Sequence, residues 1–344
     1  MTDSINQNIV LTTLESNMST KQQKTFTENK QFDTAVLFLV FNRPDVTQRV
    51  FEAIREAKPT RLYIAADGAR KDKNGEVEKV NKVREIVKSV GWVCEVKTLF
   101  RDENLGCKKA VSGAIDWFFQ HEEQGIILED DCLAHQDFFI FCENLLEKYK
   151  NDERVSVITG NNFQYGRKRG EDSYYFSKYF HCWGWAAWRR SWQMRDMNID
   201  FWPQWKISES WKKKFPDSVE RKYWGNIFEQ MYEQKIDSWG YPFLASLWFK
   251  GGLTATPNVN LVSNIGFGPD STHTASTNSP QSNVKTSSLG DFRHPIVVVQ
   301  NIQADRYVFD HVFGGRTKRF PLNLFYLPRP VLGFFYRRVL RVFT

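Results

Sequence analysis

Three consecutive carboxylates, Glu129-Asp130-Asp131, follow the short apolar run Gly125-Ile126-Ile127-Leu128. The run reads as a buried strand, so the acids stand where the chain leaves a sheet. In an open α/β sheet that carboxyl edge is where ligands bind. Hard oxygen ligands on a rigid strand end suit Mg²⁺ or Mn²⁺ carrying a diphosphate. Taken alone, the triplet is equally a strand turning into water.

Other polar groups are expected on the same edge. The first strand ends in Phe41-Asn42-Arg43-Pro44 and the second in Asp67-Gly68. Asp67 could accept from a base N–H there, and Arg43 could neutralise phosphate. Asn, Asp, Gly and Pro are also ordinary turn formers. Asn104-Leu105-Gly106-Cys107-Lys108 opens a helix. A Gly-containing helix start is an anion site to which Lys108 adds charge, or simply a capped helix. Neither a Rossmann glycine fingerprint nor a phosphate-loop Lys-Ser/Thr pair is present, which counts against dehydrogenase and ATPase chemistry.

Further along, His181-Cys182-Trp183-Gly184-Trp185-Ala186-Ala187-Trp188 offers rings that could stack on sugar faces or fill a core. Asp237, in Asp237-Ser238-Trp239-Gly240-Tyr241, is the kind of carboxylate that deprotonates a sugar hydroxyl, or a surface acid. His273 follows the Gly-rich turn Asn264–Asp270 and is a candidate second metal ligand, or a solvated loop residue.

These residues need a scaffold, and the hydrophobic pattern supplies one. Apolar runs at Ala35–Phe41, Arg61–Ala66, Trp92–Phe100, Gly125–Asp130 and Arg154–Gly160 predict strands. Helical spacing follows Pro44, where Val46, Val50, Phe51 and Ile54 recur. It returns at Val77–Val90, at Lys108–Gln120, and at Gln136–Tyr149 with Phe138, Cys142, Leu145 and Tyr149 on one face. Strands alternating with helices predict an α/β fold with a mainly parallel sheet flanked by helices. From Asn161 aromatic and charged residues mix, and periodicity weakens. The expected organisation is a disordered lead over 1–33, an α/β half over 34–160, an irregular aromatic-rich half of the same domain over 161–310, and a basic amphipathic tail over 311–344.

The formal net charge of +7 is carried by that tail. No acid follows Asp310, while Arg316, Lys318, Arg319, Arg329, Arg337, Arg338 and Arg341 all do. A body that is about neutral argues against a nucleic-acid surface. The tail's Leu, Phe and Tyr between basic residues suit an anionic membrane surface, or a terminal helix docked on the domain. Five cysteines without Cys-x-x-Cys spacing fit reduced thiols in a cytosolic protein. No run is long enough to span a bilayer, and no signal-peptide pattern opens the chain. The expected location is therefore cytoplasmic, peripheral on the inner face of the cell membrane.

Together, Phe41-Asn42-Arg43-Pro44, Asp67-Gly68, Asn104-Leu105-Gly106, Leu128-Glu129-Asp130-Asp131, Trp183-Gly184-Trp185 and Asn264-Ile265-Gly266-Phe267-Gly268 resemble nucleotide-sugar glycosyltransferases of the GT-A fold. The likeness covers roughly Thr34 to Thr274 and is to bacterial relatives of the N-acetylglucosaminyltransferase I type. It implies a GT-A, Rossmann-like sheet and a UDP-sugar donor. Asp67 would read the base, with Arg43 near it or its phosphates. Asp130 would face the ribose, Glu129 the sugar, and Asp131 would bind Mn²⁺ or Mg²⁺. The acceptor would be a glycan or a lipid-linked sugar, attacked with inversion. One departure bears on catalysis: where related sequences carry a carboxylate after the motif's Trp, this chain has Gly240.

Two other readings remain. A sugar nucleotidyltransferase shares sheet and acids but carries a Gly-rich basic loop after its first strand, where this chain has Asn42-Arg43-Pro44-Asp45. A non-catalytic carbohydrate-binding protein on the same fold is kept open by Gly240.

Overall fold

The computed structural model describes residues 32–268 and 279–319. Its first strand, β1 (Val36–Val40), is buried along its whole length, as a strand covered by helices on both faces must be. Pro44 starts helix α1 (Pro44–Ala57), which turns Val50, Phe51 and Ile54 toward the sheet. Strand β2 (Arg61–Ala66), helix α2 (Glu76–Lys88), strand β3 (Glu95–Phe100), helix α3 (Cys107–His121) and strand β4 (Gln124–Glu129) continue the alternation. A short strand β5 (Cys132–Ala134) leads into helix α4 (Gln136–Lys148), and β6 (Val155–Thr159) follows. Phe138, Cys142, Leu145 and Tyr149 are all buried, as their spacing predicts.

The larger sheet has the order β3-β2-β1-β4, continued by β8 (Trp185–Trp188), β6, β9 (Leu253–Pro257) and β7 (Tyr174–Ser177). Pairings β3–β2, β2–β1, β1–β4 and β6–β9 are parallel, whereas β8 lies antiparallel between β4 and β6. The chain steps outward from β1 to β3, then returns to lay β4 on the other flank of β1. The crevice between β1 and β4 is thus a topological switch point, where α/β sheets bind ligands. A second, two-stranded sheet pairs β5 with β10 (Val262–Asn264), antiparallel.

The second half holds more regular structure than its sequence suggests. Helices α5 (Ser218–Tyr232), α6 (Gly240–Lys250) and α7 (Ile302–Val312) enclose an aromatic core in which Trp185, Trp192, Trp202, Trp224 and Trp248 are fully buried. Trp185 stacks on Trp239 with centroids 5.9 Å apart. A buried ion pair, Lys178 to Glu220 at 2.9 Å, ties α5 to the end of β7. Asp305 on α7 accepts from Gln300 at 2.6 Å and from the Lys178 N–H at 3.3 Å. Among the described residues no helix is long and apolar enough to cross a membrane.

Candidate active site

The carboxyl ends of β1 and β4 meet through Arg43. Its guanidinium donates to Asp130 and, at 2.9 Å, to Asp131, and also reaches the Gly266 carbonyl at 3.4 Å. The β5–β10 pairing brings Gly266 here: the Ile265 N–H donates to the Asp131 carbonyl at 2.9 Å. A Cβ at Gly266 would overlap both the Asp131 carboxylate and the Arg43 guanidinium, so only glycine fits. Two segments far apart in sequence, 129–131 and 264–266, are therefore one local structure.

Charge in this crevice is lopsided. Three carboxylates stand in a row, and Arg43 is the cation paired with them among the described residues. Burial, then the charges of Asp131 and Asp130, push the Glu129 carboxyl well above its usual range. Burial raises Asp130 too, against the pull of Arg43. One Asp130 oxygen, Oδ2, is buried without a hydrogen-bond partner. Crowded, under-neutralised oxygens of this kind fit a hard divalent cation. Among the described residues no three ligand side chains form a cage. Such an ion would hold one or two carboxylates and take its other ligands from phosphate and water. Asp131, the sequence candidate for that part, is paired with Arg43 and is not among the residues lining the adjoining cavities, whereas Asp130 and Glu129 are. His273 lies outside the described residues.

Around the crevice lies a cavity of ≈ 290 Å³ lined by Asn42, Arg43, Asp67, Asn104, Glu129 and Asp130, with Asp237 at its rim. Asp67 is buried and accepts from the Asn104 side chain at 3.0 Å and from the Leu105 and Gly106 N–H groups at 3.0 and 3.2 Å. Asn104 also donates to the Gly68 carbonyl at 2.8 Å. Asp67 and Asn104 thus pin the loop that opens α3, whose Gly106 has a φ of +78°. Asn42 donates to Glu76 at 2.8 Å, and Glu76 also takes the Arg70 N–H at 2.7 Å. Hydrogen bonds from Arg70 hold the Glu76 carboxyl down at about 2. Lys108 is in helix α3 and is not among the residues lining this cavity.

A second cavity, ≈ 720 Å³, adjoins the first and is lined by Phe163, His181, Trp183, Trp239, Tyr241 and Phe313 among others. Burial drops His181 to about 3, so its imidazole is neutral. Cys107, Glu129 and Asp237 line both cavities. The aromatic segment divides: Trp183 faces the cavity, whereas Trp185 and Trp188 are core residues of β8. A Cβ at Gly240 would meet nothing closer than the Ser238 hydroxyl at 4.0 Å, so packing does not exclude a side chain there.

Sequence reasoning missed Arg70 and Arg101, and read Cys107 as a reduced thiol in a helix start without a place on the cavities. Arg101 follows β3 directly and lines the smaller cavity, and its guanidinium makes no ion pair among the described residues. The strand-end rule that singled out Arg43 would have found it.

No protein-family model and no curated protein matches this chain. Among solved structures it is similar to HddC from Yersinia pseudotuberculosis, at 11% identity and TM-score 0.31, over 50% of this chain and 86% of that one. It is also similar to the glycosyltransferase GlyE of Streptococcus pneumoniae TIGR4, at 11% identity and TM-score 0.30, over 65% of this chain but only 45% of GlyE. A third is 4-diphosphocytidyl-2C-methyl-D-erythritol synthase from Anaerococcus prevotii DSM 20548, at 8% identity and TM-score 0.29, over 47% and 73%. At such TM-scores the chemistry rests on the chain's own residues.

Proposed function

We propose that this chain is a divalent-cation-dependent glycosyltransferase of the GT-A class. It moves a sugar from a nucleotide-diphosphate sugar, a UDP-sugar by preference, to a hydroxyl of a glycan or lipid-linked acceptor, with inversion. The observation that carries the reading is the junction. A polar cavity at the switch point and a larger aromatic one meet at Glu129 and Asp237. Donor and acceptor need adjoining sites with a carboxylate between them.

In this reading the nucleotide lies along the ends of β1, β2 and β3, with the diphosphate toward Asp131. Asp131, beside Asp130, would hold Mn²⁺ or Mg²⁺, which when bound stabilises charge on the departing diphosphate. Glu129 and Asp130 orient sugar and ribose. The acceptor lies against the aromatic rings, and Asp237 takes its hydroxyl proton. As the new C–O bond forms at the anomeric carbon, the bond to the diphosphate breaks and its electron pair leaves with that group. The cytoplasmic enzyme would meet the membrane peripherally through its basic tail.

A screen of nucleotide-sugar hydrolysis with added Mn²⁺ tests this. The expected result is turnover of one donor class that chelator abolishes and Asp131→Ala does not support. Wild-type turnover by purified Asp131→Ala would overturn the metal role.

A further inference from the structure

Most large apolar side chains left in solvent stand singly, but four gather in one stretch. Ile296 is 100% exposed, Val297 60%, Val299 63% and Ile302 72%. Scattered exposed aliphatics need no explanation, whereas a contiguous group does. The backbone bends at Ile296 and Val297 instead of forming a strand edge. Both ends of the stretch are fastened. The Ser173 N–H donates to the Arg293 carbonyl at 3.0 Å, and the Asn301 N–H to the Phe176 carbonyl at 2.7 Å. The aliphatic side chains project from a held loop.

Cations surround it. Arg293 and Arg306 are exposed on either side and make no ion pair among the described residues. Arg167 lies over the Tyr307 ring at 4.7 Å, which sets it beside Arg306, and Lys168 is exposed next to it. Exposed acids on the adjoining loops are Glu171 and Asp291. An anionic bilayer satisfies this pattern as a whole, with aliphatic side chains below the headgroups and guanidinium groups among the phosphates.

We infer that residues 293–306 form a membrane-docking surface for anionic lipid. Ile296, Val297, Val299 and Ile302 enter the acyl boundary, and Arg293, Arg306 and Arg167 meet the headgroups. Helix α7 then runs from this face to Val312 and Phe313, which line the larger cavity. Its length is about 16 Å at 1.5 Å per residue. Reach to a lipid-borne acceptor rests on the glycosyltransferase reading; the docking itself does not.

Flotation of the full chain with mixed phosphatidylcholine–phosphatidylglycerol vesicles, and with phosphatidylcholine alone, tests the inference. Wild type floats with the anionic vesicles. The variant Ile296→Ser/Val297→Ser/Val299→Ser/Ile302→Ser loses about tenfold in partition with unchanged melting. Arg167→Gln/Arg293→Gln/Arg306→Gln weakens binding on the anionic vesicles only, the basic tail being unchanged. Flotation of the serine variant equal to wild type overturns the inference, as does a wild type that never floats. A concentration-dependent dimer that the serine variant dissociates, with flotation unchanged, overturns it in favour of a second copy of the chain.

Discussion

Asp237 and Glu129 share the junction of the two cavities, yet their surroundings differ. Burial first, and then the charges of Asp131 and Asp130, resist the ionisation of Glu129. Asp237 is exposed at the rim of both cavities. In the proposed mechanism the base must reach the acceptor, which the exposed Asp237 at the junction of the cavities is placed to do, and the enclosed Glu129 orients the sugar. General-base help contributes about 10²–10⁴-fold. Asp237→Asn therefore lowers kcat by that factor while leaving the donor KM near wild type, as steady-state kinetics would read. A donor KM that rises with kcat unchanged would move Asp237 from the base to the donor's binding contacts. Space is open beside Gly240, so crowding is not what keeps a side chain from that position.

Among the elements, the strand ends of the first half were legible and the cross-links between them were not. Continuous apolar runs set β1, β2 and β4 to within a residue or two, because a strand buried on both faces allows little else. β5 is only three residues long and gains its meaning from β10, more than a hundred positions later, so no local pattern reveals it. Gly266 is the consequence. Gly266→Ala should weaken divalent-cation-dependent binding by forcing Asp131 and Arg43 apart, with the Asp237 end undisturbed. Calorimetric titration of Mn²⁺ with nucleotide would register the change, and unaltered binding would refute the packing argument. The Asn42–Glu76–Arg70 network was equally invisible, since the segments after β1 and β2 and the first residue of helix α2 contribute to it jointly. Hydrogen-bonded in the fold, Glu76 sits at about 2, below its usual 4.5. Its stabilisation is present above pH 4.5 and is lost as pH falls through about 2. At neutral pH Glu76→Gln costs about 2 kcal/mol. Thermal melts of the two proteins should converge on acidification below pH 4.5; a gap that stays constant to pH 2 would contradict the ion-pair account.

At the scale of the molecule, the sheet order explains why distant acidic, basic and glycine residues converge: the turn-back after β3 puts β4 beside β1 and makes their ends one crevice. The α/β alternation was readable from sequence because each βαβ unit is local. The insertion of antiparallel β8 between β4 and β6 was not. Trp185 and Trp188 look the same whether they stack on a sugar or fill a core, and only the strand pairing distinguishes the two. The same partition leaves Trp183 and Trp239 on the larger cavity, beside the carboxylates of the smaller one. In the proposed mechanism a nucleotide diphosphate binds at the switch point through a cation held by Asp131. Isothermal titration with UDP and UDP-sugars, with and without Mn²⁺, on wild type and Asp131→Ala measures this most directly. The expected result is binding that requires Mn²⁺ and is lost in Asp131→Ala. Binding of equal strength without the metal, or undiminished in the variant, would contradict it.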